Sequence, residues 1–220
     1  MYERKRSFIV IGLGAFGSTV ASELARFENY VTGVDLDERR VSVMGSSLSQ
    51  ALIMDATDEA ALRDAGADQH DVAVVAIGRN IEASILTVMN LRMLGLKTIW
   101  AKAASRTHHR ILSKLDVDRV ILPEQEMGQH AAQVLHNPAV RDYVSLGNGF
   151  HVVTIGVPQR LEGKTVPGLR LAEKFDLRGL GVMRGAKFHD CAEEDFALAK
   201  EDRLLVLGRR PDLRRFGDAI

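Results

Sequence analysis

Two observations in the 220-residue sequence predict an α/β protein, a doubly wound parallel sheet followed by a smaller α+β domain, and a third locates the chemistry. From residue 7 to about 137, short β-branched runs alternate with longer amphipathic stretches, the pattern of parallel strands covered by helices. After Asn137-Pro138 that alternation stops and a different pattern begins. At the front stands IVIGLGAFG, residues 9–17, four apolar residues running into Gly12, Gly14 and Gly17.

In chain order, the strands are expected at Ser7 to Ile11, Tyr30 to Asp35, Ala51 to Met54, Val72 to Ala76, Thr98 to Lys102 and Arg119 to Leu122. Helical patterns lie between and after them: Ala15 to Phe27, Asp37 to Ser46, Asp58 to Asp64, Asn80 to Leu94, Thr107 to Leu115 and Glu124 to His136. Six βα units in sequence make a Rossmann-like arrangement, whose crevice beyond the carboxyl ends of the strands binds ligand. The helix from Asn80 has more apolar residues than one sheet-facing stripe requires, which fits either a subunit contact or deep packing in its own domain. The expected division is a nucleotide-binding domain with its crossover helix over 1–138, a linker over 139–148 and a carboxy-terminal domain over 149–220. In the last, Phe150 to Val157, Leu180 to Arg184 and Arg203 to Leu207 read as strands. Leu169 to Phe175 reads as a short helix, and Pro211 places proline in the first turn of a final helix.

Composition narrows the function classes. Lys plus Arg equals Asp plus Glu at 29 each, so the global positive field that drives nucleic-acid binding is missing and no nucleic-acid partner is expected. The single cysteine, Cys191, cannot form an internal disulfide, which suits a reducing cytoplasm. No apolar run approaches the roughly 20 residues that span a bilayer, so action at a membrane is expected only through a partner.

The glycine pattern follows an apolar strand and opens a helix. Gly12 permits the tight turn, Gly14 lets the backbone approach a pyrophosphate, and Gly17 allows helix and strand to pack closely. The helix start offers amides and a positive dipole to the anion. Asp35, at the end of the second strand, is placed to accept from adenosine ribose hydroxyls. Its charge disfavours the 2′-phosphate of NADP, tempered by Arg39 and Arg40 nearby. Asp55 is placed to contact adenine or, as the favoured role, to cap the next helix, with Thr57 and Asp58 competing. Gly78 and Asn80 combine a small residue with a helix cap at the same edge. His108 and His109 are adjacent and His130 and His136 six apart, spacings that do not put ligands on one helix face for a metal. Gly163-Lys164-Thr165 lacks the first glycine of a phosphate-binding loop.

Taken together, GLGAFG, VDLDE, DATDE, AIGRNIEASILT, WAKAAS and RVILPEQEMGQHAA make the chain resemble the cytosolic regulatory subunits of bacterial Ktr and Trk potassium-uptake systems, the RCK domain family. GVMRG and DRLLVLG extend the resemblance into the last 70 or so residues. It implies a protein without catalysis that binds ATP or ADP, with NAD(H) as an alternative. It further implies a dimer that builds an octameric ring and gates an integral-membrane potassium translocator of the KtrB or TrkH kind, placing the protein at the inner face of the membrane. A cyclic dinucleotide is a further candidate ligand, at the carboxy-terminal domain. The implied nucleotide-binding set is Gly12, Gly14, Ala15, Phe16, Gly17, Asp35, Asp55, Ala56, Thr57, Ile77, Gly78, Asn80, Lys102 and Glu124. Lys102 and Glu124 fall near the ligand phosphates, where Glu124 helps hold a Mg, Na or Ca ion. Family members usually carry arginine at position 15, reaching the terminal phosphate of ATP; alanine reaches nothing. The rival reading, an NAD-dependent dehydrogenase or another NAD(H)-sensing protein, needs for catalysis a proton-transfer group beside the nicotinamide. The carboxy-terminal domain offers only His151 and His189 as histidines. A redox-sensing repressor would need a helix-turn-helix and a basic face, and the sequence has neither.

Overall fold

The computed structural model describes residues 5–136, 139–191 and 196–220. The chain divides into two compact units, Met1–Pro123 and Glu124–Ile220.

The amino-terminal unit has six parallel strands, β1 (Ser7–Ile11), β2 (Tyr30–Asp35), β3 (Gln50–Ile53), β4 (Val72–Val75), β5 (Ile99–Lys102) and β6 (Arg119–Ile121), in the order β3-β2-β1-β4-β5-β6. This is the doubly wound arrangement, with the strand order reversing about β1. The strands read as continuous apolar runs because both faces are covered. In β1, Ile9 and Ile11 join one core with Ala73 and Val75 of β4, while Phe8 and Val10 join a second core with Val72 and Val74. The helices are α1 (Ala15–Arg26), α2 (Glu38–Met44), α3 (Glu59–Asp64), α4 (Ile81–Met93) and α5 (Arg106–Lys114). Asp37, Asp58, Asn80 and Ser105 cap α2 to α5 by accepting first-turn amides. Helix α1 differs: its cap residue is Gly14, with no side-chain bond and no acidic residue in the first turn.

In α4 the buried positions include Ser84 and Thr87 beside Val88 and Leu91, while Ile81, Leu86, Met89 and Met93 are exposed. The Thr87 hydroxyl donates to the Ala56 carbonyl (3.2 Å) and the Asn90 amide to the Thr57 carbonyl (2.8 Å), which ties α4 to the β3–α3 loop. Apolar residues therefore remain on the outer face, more than deep packing in its own domain would leave.

The carboxy-terminal unit begins with α6 (Pro123–His136), among whose described residues none is buried. Its antiparallel sheet has the order β10-β9-β11-β8-β7. The strands are β7 (Val140–Gly147), β8 (Phe150–Gly156), β9 (Arg178–Arg184), β10 (Lys187–His189) and β11 (Arg203–Arg209), with helices α7 (Leu171–Phe175) and α8 (Arg210–Ala219). The stretch 139–148 is thus not the linker expected from sequence: it holds β7, paired antiparallel with β8. Gly147, Asn148 and Gly149 all have positive φ, 84°, 51° and 80°, so the cluster that reads as a boundary is the turn of a hairpin. The crossover helix likewise falls in the second compact unit rather than the first. A polar clasp closes this unit. Asp202, 1% exposed, accepts from Arg184 Nε and Nη2 (both 2.7 Å) and from the Ala199 amide (2.8 Å), and the guanidinium lies over the Phe196 ring at 4.1 Å.

Candidate functional site

The glycine loop is fastened at the carboxyl edge of β1. The Gly12 amide donates to the Val34 carbonyl and the Ala76 amide to the Ile11 carbonyl, each at 2.7 Å, so the loop is pinned between the ends of β2 and β4. Gly12 has φ of 95°, and a Cβ there would stand 3.0 Å from the Ala76 carbonyl carbon. A Cβ on Gly17 would lie 1.8 Å from the Gly12 oxygen, so α1 packs on the loop only with glycine at that position. Gly14 is the opposite case. Its φ of −67° suits any residue, and a Cβ would meet nothing within 4 Å. Fold geometry therefore requires glycine at Gly12 and Gly17 but not at Gly14. With Gly14 as the cap residue of α1, no capping side chain bonds its first amides.

Asp35 organises this loop from within. Its carboxylate, 9% exposed, accepts from the Leu13 amide through Oδ2 (2.7 Å) and from the Asp37 amide through Oδ1 (2.9 Å). Arg40 Nη1 lies 3.3 Å from Oδ2. The residue expected to meet ribose hydroxyls is thus also the tie between the glycine loop and the β2–α2 turn. Lys102, at the end of β5, reaches back toward both neighbouring loops. Its Nζ is 5.7 Å from the centre of the Phe16 ring, and a Cβ on Gly78 would lie 3.5 Å from it. Phe16, Gly78 and Lys102 are therefore brought together, with Ile77 packed against the core and Ala15 exposed on α1.

Other expected residues have local duties. Asp55 does not cap α3: its Oδ1 accepts from the Thr57 amide (2.9 Å) and hydroxyl (2.7 Å), which hold its carboxyl below the usual range, and Asp58 is the cap. Three residues before that cap, Asp55 closes a turn of its own ahead of the helix. Ala56 is buried, and Asn80 caps α4 through the Ala83 amide (3.0 Å). Glu124 lies in the first turn of α6, in the other unit. Sequence reasoning missed the buried His108. It receives the Ala104 amide on Nδ1 (3.1 Å), and burial pushes its pKa down, so the ring is neutral and braces the β5–α5 loop. A histidine three residues beyond a serine cap was the available signal.

Fold and loop together define a Rossmann-type nucleotide-binding protein with an appended α+β unit. Comparison with known proteins narrows the class: the TrkA-N domain matches residues 8–123 and the TrkA-C domain residues 150–220. The chain belongs to this family of potassium-uptake proteins. It is 32% identical over 213 residues to the Ktr system potassium uptake protein A of Bacillus subtilis, covering 97% of this chain and 96% of that one. It is 35% identical to the Ktr system potassium uptake protein C of the same organism, covering 96% of each chain, and 33% identical to the Ktr system potassium uptake protein A of Vibrio alginolyticus, covering 94% of each. Among solved structures, the GsuK RCK domain superposes with a TM-score of 0.68 at 13% identity, over 99% of this chain and 48% of that one. A GsuK channel bound to NAD gives 0.67 at 12%, over 97% and 39%. The chain spans about half or less of each GsuK chain, and at these identities the likeness is one of fold. No described helix is long and apolar enough to cross a membrane.

Proposed function

We propose that this chain is a non-catalytic regulatory subunit that binds an adenine nucleotide on the loop 12–17 and gates a membrane potassium translocator from the cytoplasmic side. The observation that carries the reading is Gly14. Among the described α-helices of the amino-terminal unit, it caps the one without a side-chain cap, and open space lies where its side chain would be. A nucleotide pyrophosphate fits that space and those amides. ATP or ADP is the ligand that the resemblance to the Ktr and Trk regulatory subunits implies, and the GsuK channel of like fold, bound to NAD, keeps NAD(H) as the alternative. Lys102 supplies a point charge to the phosphates. Glu124 offers a hard oxygen ligand to a Mg, Na or Ca ion, the role that the family resemblance implies for it. The exposed Ile81, Leu86, Met89 and Met93 of α4 supply an apolar face for a homodimer, and the dimers assemble into an octameric ring. A cyclic dinucleotide is a second ligand for the carboxy-terminal domain.

Mass spectrometry of the nucleotide retained through purification, with light scattering on the same sample, tests the proposal. ATP or ADP on a species larger than a dimer is the expected result. A nucleotide-free monomer at micromolar concentration, unchanged when ATP, ADP or NADH is added, would overturn it.

A further inference from the structure

A carboxylate at the end of the second strand of this fold excludes a 2′-phosphate for two reasons: it uses the 2′-hydroxyl as a donor, and its charge repels the phosphate. Both reasons are weakened here. Asp35 already accepts the Leu13 amide (2.7 Å), the Asp37 amide (2.9 Å) and Arg40 Nη1 (3.3 Å). An ionised carboxylate has about four acceptor positions, so about one remains, enough for a single ribose hydroxyl rather than two. The charge is also matched, because the Arg40 guanidinium rests against the same oxygen that holds the glycine loop.

Arg40 is 45% exposed, and it pairs with Asp35 through Nη1 and with Asp37 through Nε at 3.6 Å. Its Nη2 has no partner among the described residues, which leaves part of a planar donor fork for a ligand oxygen at the ribose end of the site. Arg39 adds a second cation on the same turn. Against these stand Asp37, whose Oδ1 is committed to capping α2, and the exposed Glu38 in its first turn. The balance favours acceptance of a 2′-phosphate, not a strong preference for it.

We propose that Arg40 is a specificity-determining residue that lets the ribose end of this site accept a 2′-phosphorylated adenosine, so that NADP binds as well as NAD. The inference rests on the nucleotide reading above, and it departs from the expectation that the Asp35 charge, tempered by Arg39 and Arg40, disfavours NADP. Calorimetric titration of ADP, NAD and NADP into the full chain, and into Arg40→Gln and Arg40→Lys, tests it. In the unmodified chain NADP binds within tenfold of NAD. Arg40→Gln weakens NADP at least tenfold while NAD moves less than threefold, and Arg40→Lys, which keeps the charge without the fork, falls between. NADP more than tenfold weaker than NAD in the unmodified chain overturns the inference, and so does an equal loss of both in Arg40→Gln. Failure of ADP, NAD and NADP alike to bind overturns the nucleotide reading itself.

Discussion

Asp35 and Asp202 are both nearly buried acids, one in each unit, and both bond a backbone amide and an arginine. Their surroundings set them apart. Asp202 is gripped by two guanidinium nitrogens at 2.7 Å, with an aromatic ring over the same guanidinium, and this contact holds its carboxyl below the usual range. Asp35 has a longer, single contact with a half-exposed arginine, and its short bonds go to the amides that shape the glycine loop. One acid locks a domain shut; the other sets the geometry of a loop and leaves its arginine within reach of a ligand. Burial alone therefore does not tell the two acids apart, whereas their partners do.

Asp202→Ala should give the largest effect. Its bonds lie inside the carboxy-terminal unit, and losing charge-assisted hydrogen bonds costs about 2–3 kcal/mol. Hydrogen exchange in β8 and β11 reads that loss, while nucleotide affinity stays unchanged. The pH dependence has a definite sign. Because the folded pKa is depressed below 3.8, the contribution is present above that value and fades as pH falls below it, a fading that Asp202→Ala removes.

Asp35→Ala should act in the other direction, on binding more than on the carboxy-terminal unit. Freeing the Leu13 amide and losing the ribose contact weakens nucleotide binding by about 1–3 kcal/mol, roughly five-fold to over a hundred-fold. Unchanged β8 and β11 exchange in the same variant would complete the contrast. If instead both variants lowered affinity and exchange protection together, the two acids would not differ as described.

The smallest effect is expected at Ala15. A ligand shifts an equilibrium only by its differential affinity for the two states, so a site without a side chain on the terminal phosphate separates ATP weakly from ADP. Ala15→Arg should raise the ATP to ADP affinity ratio by several-fold, about 1 kcal/mol. An unchanged ratio in parallel titrations would mean that position 15 does not read the terminal phosphate.

Much of the amino-terminal unit was legible because a strand buried on both faces is a continuous apolar run, and β1 and β2 fall where the sequence puts them. The carboxy-terminal unit was harder to read. Its β7 has mostly exposed residues and ends in a glycine-rich turn, so its composition resembles a linker, and β10 has only three residues. Within the site, the glycine loop and Asp35 declared themselves through spacing. Asp55 and Asp58 compete for one cap, and only the backbone path decides between them. The buried Thr87 and the half-buried Asn90 were not legible, because their partners are carbonyls of a loop more than 30 positions earlier in the chain.

The central claim is that a nucleotide passes beside Gly14, and Gly14→Val tests it most directly. The backbone there suits valine, and a Cβ has no protein atom within 4 Å, so the variant should melt within a degree or two of the unmodified chain. Calorimetry should nonetheless find ATP and ADP binding reduced at least tenfold, because the side chain stands in the path of the pyrophosphate. Full affinity in a normally folded Gly14→Val protein would contradict the account.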